Sequence, residues 1–258
     1  MLIKIKREWE LPESAATPES VYWNRRHFLR GLAAGPALLG GAALAAGKAF
    51  AADEADPSAA LYPAPRNTAY EGGRPLTDEE AATTYNNFYE FGSHKQISKV
   101  AQNLKIRPWT VTIDGAVDKP MSLAIDDLLA KMPLEERVYR HRCVEAWAMT
   151  VPWTGFQLSH LIDLAQPRSD AKYVTMQTFL DKEIAPGQRQ HWYPWPYVEG
   201  LTMAEAQNDL SFIATGIYGR PMPKQNGAPL RLAVPWKYGF KHIKSIVRFT
   251  FSATRPKG

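Results

Sequence analysis

Cys143 is the only cysteine in 258 residues, so this chain cannot close an internal disulfide and depends on a buried core for its fold. The residue stands in Tyr139-Arg140-His141-Arg142-Cys143-Val144-Glu145-Ala146-Trp147. A lone thiol is either a small buried hydrophobe or a reagent, and the compartment sharpens the choice.

Near the N-terminus, Asn24-Arg25-Arg26-His27-Phe28-Leu29-Arg30 is followed by Gly31 to Gly47, a run of small and apolar residues without charge. Adjacent arginines before Phe-Leu and a weakly hydrophobic Ala/Gly segment form the pattern of a twin-arginine export signal. Small-x-small residues at Ala49-Phe50-Ala51 offer a cleavage site. The expected organisation is therefore a signal over 1–51, an extended arm over 52–80 and a catalytic domain over 81–258, delivered to the periplasm. There a lone exposed thiol would be exposed to oxidation, so burial or a metal should protect Cys143. Removing 1–51 takes away seven of the 31 basic and four of the 26 acidic side chains and leaves a net charge of +2. Basicity therefore gives no argument for nucleic acid. The remaining length suits a single domain with ample core.

Prolines 57, 63, 65 and 75 break regular structure along the arm. A short helix is expected within Lys95–Leu104. Apolar alternation over Trp109–Val117, turning at Asp114-Gly115, predicts a hairpin. Ser122–Met132 reads as a helix with acids in its first turn, and Glu136–Val144 as a strand that delivers Cys143 at its end. Thr154–Leu164 reads as a helix, and Tyr173–Phe179, Leu210–Tyr218, Leu230–Val234 and Ser245–Ser252 as strands. Strands, short helices and long Pro-rich loops describe one α+β domain with mixed sheets, whose loops would carry a site.

Dinucleotide, P-loop, haem-attachment, zincin and iron–sulfur motifs are absent from the sequence. A thiol–His pair remains open, because His141 at i−2 shares a strand face with Cys143 whereas Arg142 does not. A second reading treats the thiolate as a soft ligand for a transition metal whose other donors come from an organic group.

Four segments bear on this choice: Tyr85-Asn86-Asn87-Phe88-Tyr89-Glu90-Phe91, the stretch around Cys143, Gln225-Asn226-Gly227-Ala228-Pro229-Leu230-Arg231, and Val234-Pro235-Trp236-Lys237-Tyr238-Gly239-Phe240-Lys241-His242-Ile243-Lys244. In this order they resemble the periplasmic protein-methionine-sulfoxide reductase catalytic subunits, the MsrP family of sulfite oxidase-fold molybdopterin oxidoreductases. The resemblance runs over essentially the whole chain. It implies a sulfite oxidase-like fold and a Mo-molybdopterin cofactor with Cys143 as its one protein metal ligand and catalytic residue. It further implies cofactor contacts at Asn86, Tyr89, Glu90, Thr178, Asn226, Arg231, His242, Ile243 and Lys244. Implied partners are a membrane haem b subunit, MsrQ, as electron donor and oxidised periplasmic proteins as substrates. The residue types suit the cofactor: Arg231 can hold a phosphate bidentately and Lys244 supplies a point charge. Glu145 is expected beside the metal without ligating it.

Two rivals stand beside this reading. A sulfite dehydrogenase would run the same cofactor oxidatively, but family members of that kind carry a further dimerisation domain, so a chain ending after one domain reads as a monomeric reductase subunit. A metal-free exported binding module would instead leave Cys143 as core. The aromatic run His191-Trp192-Tyr193-Pro194-Trp195-Pro196-Tyr197 either lines the mouth of a site or packs on itself.

Overall fold

The computed structural model describes residues 56–256, so the twin-arginine motif, the apolar run after it and the cleavage site lie outside the described residues. Thr110–Gly115 (β1), Met121–Ala124 (β2), Tyr173–Thr178 (β5), Val198–Thr202 (β6) and Ile246–Ser252 (β10) form one sheet in the order β2-β1-β10-β5-β6. Glu135–Arg142 (β3), Ala148–Gln157 (β4), Phe212–Ile217 (β7) and Arg220–Pro221 (β8) form a second in that order, with Arg231–Ala233 (β9) paired to β7. β1 and β10 run parallel, whereas the remaining strand pairings, such as β3 with β4 and β5 with β6, are antiparallel. The mixed α+β architecture anticipated from sequence is therefore present.

The first sheet follows its alternation. Val111 and Ile113 of β1, Val174 and Met176 of β5, and Phe249 and Phe251 of β10 all point into one core. Strict alternation would put Ile246 on the face opposite Phe249. A register shift between Ile246 and Arg248 returns it to the inside, where it is fully buried. The helix Leu158–Ala165 closes this core with Leu158, Leu161, Ile162 and Ala165; each large side chain so buried contributes on the order of 2 kcal/mol.

Several expected boundaries move. Thr154 to Gln157 belongs to β4, and the helix begins only at Leu158. From Thr150 to Phe156 every β4 residue is buried, on both faces of the strand. An apolar run of this kind carries no period-2 signal to separate it from a buried helix. Gly155 marks the reason for a strand here, because a Cβ on it would stand 2.0 Å from the Ile213 carbonyl oxygen of β7. The hairpin from β1 to β2 exists, but Asp114 and Gly115 remain in β1 beside Thr250 and Phe251, and the chain reverses after them. Ser122 lies in β2 and the following helix spans only Ile125–Leu129. The Lys95–Leu104 helix shrinks to Ser98–Ala101. β6 carried no prior expectation.

Part of the Pro-rich lead packs along the outer edge of β3, where the Glu136 amide donates to the Pro65 carbonyl at 2.8 Å and the Val138 amide to that of Tyr70 at 3.1 Å. The inner face of β3 and the turn that follows it are left to shape the pocket around Cys143.

Candidate cofactor site

β3 ends at Arg142, one residue before Cys143, and the five residues 143–147 form the reversal into β4. The Cys143 amide donates to the Trp147 carbonyl at 2.9 Å and the Ala146 amide to that of Cys143 at 3.2 Å, with Ala146 at φ 65°. A tight reversal aims the thiol inward although strand pairing has stopped. Glu145 lies in this reversal rather than on a strand, and it lines the same cavity as Cys143.

Cys143 opens onto a cavity of about 320 Å³, within the range of small-molecule sites. Asn86, Tyr89, Glu90, Asn226, Arg231, His242, Ile243 and Lys244 all line it. Segments nearly 160 positions apart are thus brought together by β9, the loop after β8 and the final 3-10 turn. Thr178 alone of the expected contacts stands behind the wall. It is fully buried, and its hydroxyl lies 2.8 Å from the Lys244 carbonyl and 3.3 Å from that of Ser245.

Among the described residues, neither Arg231 nor Lys244 at the cationic end of the cavity stands in an ion pair. Arg231 is buried, its Nη1 donating to the Asn226 carbonyl at 2.8 Å and its Nη2 to the His242 carbonyl at 3.2 Å. Burial alone pulls its guanidinium down to about 9. Lys244 Nζ donates to the carbonyls of Asn87 and Gln225, each at 2.6 Å. Burial, and then the Arg231 charge, hold this ammonium well below the usual lysine range. Glu90 is the nearby acid, yet burial raises its carboxyl to about 7 against the opposing pull of Lys244. A buried guanidinium and a half-buried ammonium thus face a carboxyl that is itself reluctant to ionise.

The other polar walls are orphaned acceptors. Asn86 and Asn226 both donate from Nδ2 to the same Ala82 carbonyl, at 3.3 and 3.1 Å, and each keeps a buried Oδ1 without a partner. Trp195 Nε1 is a third orphan on this wall, and a donor. Unmet buried polar atoms cost about 1–3 kcal/mol each, so the cavity asks for a ligand offering N–H donors at one part and negative charge at another. A molybdopterin, with a hydrogen-bonding heterocycle and a phosphate, has that chemistry. Among the described residues no group of three His, Cys, Asp or Glu side chains is placed to hold a metal; a metal at Cys143 would draw its other donors from an organic ligand.

The thiol–His pair is not formed. His141 Nδ1 faces His242 Nδ1 at 3.0 Å. His242 Nε2 donates to the Val234 carbonyl at 2.9 Å, so its Nδ1 accepts from His141. Burial, and behind it the Arg231 charge, lowers both imidazoles, His242 down to about 3. Cys143 Sγ accepts instead from Asn87 Nδ2 and from the Glu145 amide, each at 3.5 Å. Lys95 engages Asn87 Oδ1 and, at 2.5 Å, Glu145 Oε2. Its hydrogen bond is the first cause that keeps the Glu145 carboxyl below the usual range. Asn87, Lys95 and this role for His141 escaped sequence reasoning. Asn87 carried a signal in standing beside Asn86, but Lys95, expected at the start of a helix, reaches the site from the loop before Ser98–Ala101.

The aromatic run answers to both of its readings. Trp192, Tyr193, Trp195 and Tyr197 line the cavity, while Tyr193 and Tyr197 also stack with centroids 5.8 Å apart. Trp192 is 72 % exposed and marks the rim with Tyr89 and Phe240.

Known proteins echo this arrangement. The oxidoreductase molybdopterin binding domain matches residues 97–258. The chain is 48% identical, over 96% of its length and 76% of the relative's, to the protein-methionine-sulfoxide reductase catalytic subunit MsrP of Xanthomonas axonopodis pv. citri. It is 46% identical to the protein of that name from Pseudomonas syringae pv. tomato, over 100% of this chain and 80% of that one. The crystal structure of the sulfane dehydrogenase SoxCD from Paracoccus pantotrophus superposes with a TM-score of 0.50 at 18% identity, covering 63% of this chain and 42% of that one. At that identity the likeness concerns the fold alone.

Proposed function

The chain belongs to the oxidoreductase molybdopterin-binding family, among the MsrP catalytic subunits, and from that premise we propose that it reduces methionine sulfoxide in oxidised proteins to methionine with molybdenum held by molybdopterin and by Cys143. The observation that carries the reading is the cavity ending at the only thiol, with Arg231, Lys244 and two orphaned amide oxygens on its wall. When bound, the cofactor supplies two-electron oxygen-atom acceptance, which protein side chains lack. Overall, one sulfoxide, two electrons and two protons give one thioether and one water.

The residues of the chain bind and orient. Arg231 and Lys244 would meet the phosphate, and the charge they gain as a partner relieves the desolvation each now bears. Asn86 and Asn226 would accept from the heterocycle through their free Oδ1 atoms. Asn87 Nδ2 and the Glu145 amide donate to the Cys143 sulfur, which fixes its direction. Glu145, kept ionised by Lys95 at the mouth, stands beside the open side of the thiol and would accept a hydrogen bond from a polar group entering there. The exposed aromatic rim gives a thioether or sulfoxide side chain a surface to lie on.

Export to the periplasm by the twin-arginine route and electron supply from a membrane haem b subunit complete the reading; the Arg25-Arg26 signal motif supports the first, and the two-electron stoichiometry requires a donor of some kind for the second. The experiment is turnover by cofactor-loaded protein with reduced methyl viologen as donor. Dye oxidation dependent on methionine sulfoxide is expected. Oxidation of sulfite without sulfoxide reduction would replace this reading with the sulfite dehydrogenase one.

A further inference from the structure

A second cavity, of about 820 Å³, lies behind the β3–β4 hairpin. Residues 69–77 wall one side and Pro235 and Trp236 the other, above a floor that includes Val138 and Thr150. Strand alternation sends His141 to the cofactor side and Arg140 and Arg142 to this one, and Arg74 joins them from the facing segment. Met149 lines both cavities, so the two share a single hairpin as their partition.

The three guanidiniums differ from six others among the described arginines. Arg66, Arg107, Arg137, Arg168, Arg220 and Arg248 each pair with a carboxylate. Arg74, Arg140 and Arg142 have no ion pair among the described residues, although the groove includes one acid, Glu71. Arg140 is nonetheless held in place, its Nε donating to the Gly72 carbonyl at 2.5 Å. Its Nη2 lies so near Gly73 that a Cβ there would come within 2.8 Å. Clustered guanidiniums without ion pairs, one of them held in place, over a partly apolar floor match carboxylates presented on an extended chain.

We propose that this groove docks an acidic segment of the protein that delivers electrons to the cofactor site. The proposal rests on the reductase reading, in which each turnover consumes two electrons that a separate carrier protein must replace. A sulfoxide-bearing substrate occupies the mouth at Cys143. A donor seated behind the hairpin leaves that mouth clear while touching Arg142, the chain neighbour of Cys143. Long-range attraction between the arginines and the acids would also speed the encounter and make it salt-dependent.

The test has two arms on the cofactor-loaded full chain. In the first, a fluorescein-labelled peptide of alternating Glu and Leu is titrated by anisotropy against wild type, R74E/R140E and R74Q/R140Q. Binding should weaken roughly tenfold or more in the reversal variant, less in the neutral one, and again between about 0.05 M and about 0.5 M KCl. Equal affinity in all three proteins, no binding by wild type, or displacement by inorganic phosphate at the peptide's own concentration would overturn the proposal. So would a preference for phosphatidylglycerol vesicles that is lost in the same variants. In the second arm, methyl viologen supplies electrons directly, and both variants should turn over methionine sulfoxide at the wild-type rate. Wild type inactive in this second arm would sink the reductase reading while leaving the binding result to stand or fall separately.

Discussion

At the residue scale the site is defined by charges and polar atoms lacking counterparts. Arg231 is buried and Lys244 half-buried beside it, and among the described residues both have carbonyl oxygens but no ion pair as partners, so an anion should stabilise the cofactor-free chain. Adding inorganic phosphate is expected to raise the melting temperature of that form, and Lys244→Met should remove most of the increment; an unchanged melting curve would argue against a phosphate-accepting end. Glu90 offers a second handle. Its folded value of about 7 lies above the ordinary 4.5, so the folded chain retains a proton that the unfolded chain has released. The stability due to this group is full below about pH 4.5 and lost as the pH rises through about 7. His141 and His242 act in the opposite sense, since imidazoles held neutral by burial lose their share on acidification. Comparing wild type with Glu90→Gln isolates the carboxyl. Relative to wild type, the variant should gain stability on the order of 3 kcal/mol between pH 5 and pH 8 in urea unfolding of the cofactor-free chain, whereas parallel curves would contradict the assignment.

At the element scale, short turns rather than helices or strands carry the chemistry. Gly227 sits at φ 108°, and a Cβ there would approach Lys244 Cγ to 2.7 Å and Arg231 Cβ to 3.2 Å. Gly227→Ala combines backbone strain with displacement of both cations. The variant should fold with a loss of about 1–3 kcal/mol and retain markedly less cofactor, measured as released pterin fluorescence per chain; full retention would show that the turn does not set the cationic wall. This scale also separates what sequence can tell from what it cannot. β1, β5 and β10 were legible because one face of each is buried and the other is not. β4 was misjudged at Thr154–Gln157 because burial on both faces erases alternation. β6, with Glu199 and Gly200 at its centre, has too little apolar pattern to announce a strand.

For the whole molecule, the fold gathers four segments that are scattered in sequence around a single sulfur. Motif order made the segments recognisable, and composition alone would have found none of them. Their mutual geometry was beyond sequence: neither Lys95 reaching Asn87 and Glu145, nor the His141–His242 pair, nor the place of Thr178 behind the wall follows from spacing, because each depends on how β3, β9 and the terminal 3-10 turn pack. The central claim is that Cys143 joins a pterin-held molybdenum to the chain. X-ray absorption at the molybdenum edge, on protein purified after cofactor-replete expression, addresses it directly. Wild type should contain about one molybdenum per chain, with Cys143→Ala losing one sulfur neighbour or the metal itself. A wild type free of molybdenum, or a variant whose metal keeps every sulfur it had, would contradict the account.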